Sequence, residues 1–183
     1  MRLALLSILL LVSPASAEPG ADLLSRLREG GYVLYLRHTS TDFRQNDSRM
    51  TSFEDCASQR NLTDRGRDEA RAIGEHVKRL KIPIGEVLAS PFCRTMETAR
   101  LAFGKARATG DVRGGPVEAG RYVALRKLLS APVAKGTNRV ISSHGNPFYA
   151  LAGPPYLAEG EMAVVRPEGE SFSVVARIRL SDW

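Results

Sequence analysis

Tyr32-Val33-Leu34-Tyr35-Leu36-Arg37-His38-Thr39-Ser40 is an apolar run of strand length that ends in an arginine, a histidine and two hydroxyl residues. In an open α/β sheet, ligands sit just beyond the carboxyl ends of the strands. Arg37 and His38 fall at that place. Two further stretches have the same form. Val87-Leu88-Ala89-Ser90-Pro91 leads into Phe92-Cys93-Arg94, and Val140-Ile141-Ser142-Ser143 leads into His144-Gly145-Asn146-Pro147.

Outward from these strands, Ala21 to Arg28 reads as a short amphipathic helix with Leu23, Leu24 and Leu27 on one face, ended by Gly30-Gly31. A polar loop is expected from Thr39 to about Asn61, and a loop of that length with little periodicity is usually functional or mobile. Thr63 to Leu80 is the clearest helix. Ala70, Ile73, Val77 and Leu80 form its stripe, Thr63 or Asp64 caps it, and Pro83 stops it. Glu86 to Ala89 reads as a short buried strand. The next helix is expected to have Ser90 as N-cap and Pro91 at its first position, and to run to Phe103 with Arg94 in its first turn.

Gly104 to Gly120 reads as loop with one short strand. Arg121 to Leu129 is predicted helical, Asn138 to Ser142 a strand, and Pro147 to Leu151 a short helix broken by Gly153-Pro154-Pro155. Met162 to Val165 and Phe172 to Leu180 are the last two strands, the second alternating as a half-exposed edge does. Alternating strands and helices predict an α/β fold: a mostly parallel central sheet covered by helices on both faces, with an antiparallel edge near the C-terminus.

Arg2, the apolar run Leu3 to Val12 and Ala15-Ser16-Ala17 predict a signal peptide over residues 1–17. The run is too short, and too soon followed by Pro14, to span a membrane. Residues 18–183 are then expected to form one exported domain, periplasmic and without stable membrane insertion. The formal net charge is +6, from 26 basic and 20 acidic residues, and the basic residues are mostly arginine. They are scattered, with no block resembling a nucleic-acid arm, so no nucleic-acid partner is expected; an anionic substrate fits. Cys56 and Cys93 are the only cysteines. In an oxidising compartment they are expected to form one disulfide, pinning the loop after His38 near Arg94.

The three strand ends offer two arginines and two histidines, a set suited to phosphoryl transfer. A phosphoryl group carries its charge on outer oxygens, so its transfer is mostly positioning and charge stabilisation. The guanidinium is planar, always charged and bidentate toward phosphate, and a helix N-terminus beside Arg94 adds backbone donors. A neutral histidine can attack phosphorus to give a phosphoenzyme that water then breaks. No metal or other cofactor is required: three histidines without ligand spacing do not make a metal site, and His76, in mid-helix, reads as a surface or core-edge residue.

These residues resemble a known family, the histidine phosphatases of the phosphoglycerate mutase-like superfamily. Leu36-Arg37-His38-Thr39 is similar to its Arg-His-Gly signature, with threonine in place of glycine. Leu62-Thr63-Asp64-Arg65-Gly66-Arg67-Asp68-Glu69-Ala70 resembles its Leu-Thr helix start. Ser90-Pro91-Phe92-Cys93-Arg94-Thr95-Met96-Glu97-Thr98-Ala99 resembles its Ser-Pro-Arg-Thr-Ala segment, and Ser143-His144-Gly145 its second histidine. The matches run in order from residue 32 to 150. The resemblance implies a phosphoglycerate mutase-like fold and an exported bacterial-type member. It makes His38 the phosphorylated nucleophile, and Arg37, Arg94 and His144 the phosphate ligands. Thr39 adds a side chain near the phosphate that could donate a hydrogen bond.

Many relatives also carry an acidic proton donor between the second arginine and the second histidine. Glu97, Asp111 and Glu118 occupy that interval; Glu97 lies within the arginine helix, whereas Glu118 stands just before a helix. Glu161, opening a strand after His144, is slightly favoured over Glu118, and Glu159 is a further candidate. The expected function is a metal-independent, acid phosphatase-like phosphomonoester hydrolase acting on a small or envelope-linked phosphorylated substrate. The alternatives are a phosphohistidine phosphatase, since relatives lacking the acid act on good leaving groups, or a phosphate- or sugar-phosphate-binding module that has lost turnover.

Overall fold

In the computed structural model, residues 20–115 and 120–182 are described; the proposed leader and Glu118 lie outside them. The apolar run becomes strand β1 (Val33–Arg37), at the middle of a six-stranded sheet. It pairs in parallel with β4 (Asn138–Ser143), from Val33 opposite Arg139 to Arg37 opposite Ser143. β2 (Ile84–Ala89) lies parallel to β4 on its other side, and the two-residue β3 (Arg107–Ala108) extends that edge. β5 (Met162–Pro167) runs antiparallel to β1, and β6 (Phe172–Ile178) antiparallel to β5. The order is β3-β2-β4-β1-β5-β6, a parallel sheet with an antiparallel C-terminal edge, as the sequence pattern predicts.

The absence of polar alternation in β1 has a direct cause, since both of its faces are covered. Leu34 and Leu36 pack among Leu27 of helix α1 (Ala21–Glu29), Ile73 and Val77 of α2 (Asp64–Arg79), and Met96 and Ala99 of α3 (Cys93–Phe103). Val33 and Tyr35 point the other way, toward Leu125 and Leu129 of α4 (Val123–Ser130) and Phe148 of α5 (Gly145–Ala152). Successive strand residues thus serve two cores, one on each face. β6 is half-exposed from Phe172 to Arg177, with only Ile178 buried.

The start of α2 shows what its sequence is for. The Thr63 hydroxyl caps the helix by accepting from Gly66 N–H at 3.0 Å. Gly66 itself lies against the backbone after His38: a Cβ there would stand 2.0 Å from the Ser40 carbonyl oxygen. Glu69 accepts from Ser40 N–H at 3.1 Å. The Leu-Thr helix start is therefore a clamp on the segment that follows the first strand.

One local expectation is corrected. α3 begins at Cys93 with Phe92, not Ser90, at its N-cap. The Ser90 hydroxyl is drawn away by His144, and the Ser90 carbonyl accepts from the Thr95 hydroxyl at 2.7 Å. Arg94 still lies in the first turn of the helix.

Candidate active site

β1, β2 and β4 run in parallel, so their carboxyl ends share one edge of the sheet. Chain direction alone therefore gathers Arg37, His38, Ser90 and His144. Two backbone bonds fix the level: His38 N–H donates to Ser143 O and Ser90 N–H to Ser142 O, both at 3.0 Å.

His38 is 1% exposed. Its Nδ1 lies 3.0 Å from the Thr39 carbonyl oxygen, which can only accept, so Nδ1 carries the proton and Nε2 the lone pair. Burial lowers the imidazole pKa to about 3, and the charges of Arg94, Arg37 and Arg60 push the same way. The ring is neutral at physiological pH, the state a nucleophile requires. The His144 ring is 5.5 Å away between centroids, edge-on at 70°. Its Nε2 meets the Ser90 hydroxyl at 2.9 Å, and its carbonyl accepts from the buried Tyr35 phenol at 2.8 Å. Burial, then the charge of Arg94, hold His144 well below the usual histidine range.

Three arginines surround the rings. Arg37 donates from Nη1 to Leu157 O at 2.6 Å, and its Nη2 lies 3.6 Å from Glu159. Arg94, 5% exposed, is held by Asp47 through two bonds, Nη1–Oδ1 at 3.0 Å and Nη2–Oδ2 at 3.1 Å. Arg60 was legible only as one of several charged residues in the long loop. Its backbone N–H donates to Asp47 at 2.9 Å, its carbonyl accepts from Arg94, and its charge acts on both histidines. Arg37, Arg60 and Arg94 each keep a buried Nε–H without a partner. An unmet buried donor costs about 1–3 kcal/mol, and Arg26 and Arg121 also keep an unpartnered Nε–H.

The loop that carries Asp47 and Arg60 is fastened to α3. Cys56 and Cys93 are joined by a disulfide, with Cα atoms 5.7 Å apart. Gln59, fully buried, accepts from Cys93 N–H at 3.0 Å and donates to the carbonyls of Phe53 and Asp55. The first amide of α3 is thereby taken and is not free for a ligand, contrary to the simple helix-terminus reading. Neither Gln59 nor Asp47 carries a sequence signal beyond its place in a long loop beside the first histidine.

Thr39 is fully buried, and its hydroxyl faces Thr98 of α3 at 3.3 Å. The Thr98 hydroxyl is committed to Arg94 O at 2.7 Å, so the Thr39 proton goes to Thr98 rather than toward a phosphate. Glu161 is also placed elsewhere. Its carboxylate accepts from Ala158 N–H at 2.7 Å, and Glu161 lines a cavity with Glu159, Arg65, Glu69 and Arg179. Glu159 is the acidic residue that faces the first histidine, 3.8 Å from Nδ1, while bonding the Thr41 hydroxyl at 2.7 Å. Glu97 pairs with Arg67, and Asp111 sits exposed in a short turn. Glu118 lies outside the described residues, but the chain passes His144 four residues earlier: a Cβ on Gly114 would stand 3.0 Å from that ring. His76 stays on α2 beside Arg79. Among the described residues no cluster of three or more His, Cys, Asp or Glu side chains could hold a metal ion.

Known proteins share this architecture. The structure of the protein histidine phosphatase SixA complexed with tungstate matches with a TM-score of 0.55 and 22% identity, covering 82% of this chain and 98% of that one. A phosphoserine phosphatase variant from Entamoeba histolytica, in complex with phosphoserine, matches with a TM-score of 0.58 and 11% identity, covering 82% and 98%. No curated protein matches the sequence. Residues 33–113 match the histidine phosphatase superfamily, branch 1. That sequence match is confined to residues 33–113, and the likeness to the solved structures extends the same fold over most of the chain.

Proposed function

We propose that this chain is a phosphomonoester hydrolase that works through a phosphohistidine on His38. One observation carries the reading: two buried, neutral imidazoles lie edge-on 5.5 Å apart, and the charges of Arg37, Arg60 and Arg94 act on both. In the proposed reaction, the His38 Nε2 lone pair attacks phosphorus and the bond to the leaving oxygen breaks. Water then attacks the phosphohistidine, releasing phosphate and restoring the neutral ring. Arg37, Arg60, Arg94 and His144 hold the outer oxygens, whose charge they match better as the transition state forms. Glu159 positions Arg37, and Asp47 positions Arg94.

The leaving oxygen needs a proton unless it is a weak base. Glu118 is the proposed donor, since Glu161 is turned away and Glu159 lies on the Nδ1 side of His38. The disulfide supports an exported, periplasmic location, where such a bond persists. Among the described residues no helix is long and apolar enough to cross a membrane.

The test is a rapid quench after mixing with radiolabelled phosphoramidate or an aryl phosphate, wild type beside His38→Ala and Glu118→Gln. Acid-labile, base-stable label is expected on the wild type and lost in His38→Ala. Glu118→Gln is expected to slow alkyl esters far more than phosphoramidate. No label and no hydrolysis, in a protein that still binds phosphate, would leave a binding module. Phosphoramidate turnover with alkyl esters inert in the wild type would select a phosphohistidine phosphatase.

A further inference from the structure

The geometry points to a ring-binding subsite at the mouth of the pocket. We propose that the preferred substrates are phosphomonoesters whose leaving alcohol carries a flat ring, stacked on Tyr156 or Phe43. This deepens, and rests on, the phosphatase reading above.

Three aromatic side chains remain exposed where burial would be expected: Phe43 is 72% exposed, Tyr156 49% and Tyr149 46%. Core packing explains none of them, and Tyr149 and Tyr156 are adjacent, where exposed apolar surface marks binding. Two of the three lie on arginines of the site. The Tyr156 ring covers Arg37, with 5.2 Å from Cζ to the centroid, and the Phe43 ring covers Arg60 at 4.9 Å. Tyr149 backs Tyr156, with centroids 5.7 Å apart.

Tyr156 is also tied to the second histidine. A Cβ on Gly145, the residue after His144, would fall 2.1 Å from the Tyr156 ring. Only glycine lets the ring lie so close to that backbone. The two rings therefore rise from opposite parts of the chain, one from the loop after β1 and one from the connector before β5. Both stand over donors that would grip the phosphoryl group.

A planar ring attached to that group can stack on these faces, whereas a short alkyl chain cannot. The chemistry of the leaving group agrees. An aryl oxide is a weaker base than an alkoxide and needs less help from an acid, and Glu159, the carboxylate beside His38, stands 3.8 Å from Nδ1.

The test compares phenyl phosphate with ethyl phosphate as a ratio of kcat/KM in wild type, Phe43→Ala, Tyr156→Ala and Tyr156→Phe. The intrinsic difference between the leaving groups cancels when the ratio is compared between variants. At least one alanine is expected to lower the ratio by about fivefold to tenfold through KM, the range of one aromatic stack. Tyr156→Phe, which keeps the ring, should retain it. A ratio that stays constant in both alanine variants overturns the proposal, because the rings would then only shape the arginines. If neither substrate is turned over and His38 takes no label, the phosphatase reading has failed. The subsite is then read from equilibrium binding of phenylphosphonate against ethylphosphonate in the same proteins, where an unchanged preference overturns it independently.

Discussion

Replacing Asp47 by alanine tests whether the long loop builds the site or merely covers it. The carboxylate makes two bonds to a guanidinium whose side chain is 6% exposed and one to the Arg60 backbone N–H, while Asp47 itself is 31% exposed. Breaking a fully buried pair costs about 3–5 kcal/mol, because the remaining charge is left unpaired. Water can reach the Asp47 side of this pair, so a loss of about 2–3 kcal/mol is expected. In a domain of this size that lowers Tm by roughly 5–10 °C. Arg94 would also lose the carboxylate that bonds both of its terminal nitrogens, and misplacing a phosphate ligand costs roughly 10- to 100-fold in kcat/KM. Asp47→Asn retains one acceptor and should fall between alanine and wild type. Thermal unfolding and kcat/KM on an aryl phosphate measure the two effects. Unchanged values of both would refute the positioning role. Tighter phosphate binding in Asp47→Ala would refute it differently, by showing that the carboxylate competes with the ligand for Arg94.

The disulfide closes a loop 37 residues apart in sequence. Chain-entropy arguments give it about 4 kcal/mol, so the Cys56→Ser, Cys93→Ser variant should unfold at lower urea and be cut faster between Thr39 and Asn61; equal midpoints and equal proteolysis count against the tether. The histidines set the acid limb of stability. His38 titrates near 3 when folded against 6.5 in an ordinary environment, so the unfolded chain binds more protons between those values. Stability from this group is complete above about pH 6.5 and is lost as pH falls toward 3, by roughly 1.4 kcal/mol per unit, with His144 adding in the same direction. Urea unfolding from pH 5 to 7 should show a shallower slope in His38→Asn than in wild type, and parallel slopes would contradict the burial argument.

Much of this was written locally. The run from Tyr32 to Leu36 is apolar because both faces of β1 are covered, and that continuous burial is visible in sequence. Parallel strand ends then bring Arg37, Ser90 and His144 together without further information. The Thr63 cap and the Ala70, Ile73 and Val77 stripe are likewise properties of one helix. What was not legible depends on partners far away in the chain. Ser90 looks like a helix cap until His144 competes for its hydroxyl. Thr39 looks like a phosphate ligand until Thr98 arrives from α3. Glu161 opens a strand, as expected, but the turn at Ala158 captures its carboxylate. Asp47, Gln59 and Arg60 sit in a segment with no periodicity, where tertiary contact alone separates a site residue from a solvated one.

The antiparallel placement of β5 has an architectural consequence. A strand continuing the parallel order would bring its carboxyl end to the pocket. Because β5 runs the other way, its beginning lies there, and the connector from Gly153 to Gly160 supplies the rim: Tyr156, the Leu157 carbonyl and Glu159. Arg37, His38, His144 and Arg94 are fixed by β1, β4 and α3, whereas the rim is this eight-residue connector, a separate piece of chain. In the proposed reaction the connector would face the leaving group, so resequencing it would change selectivity while the Leu157 and Glu159 contacts to Arg37 are kept.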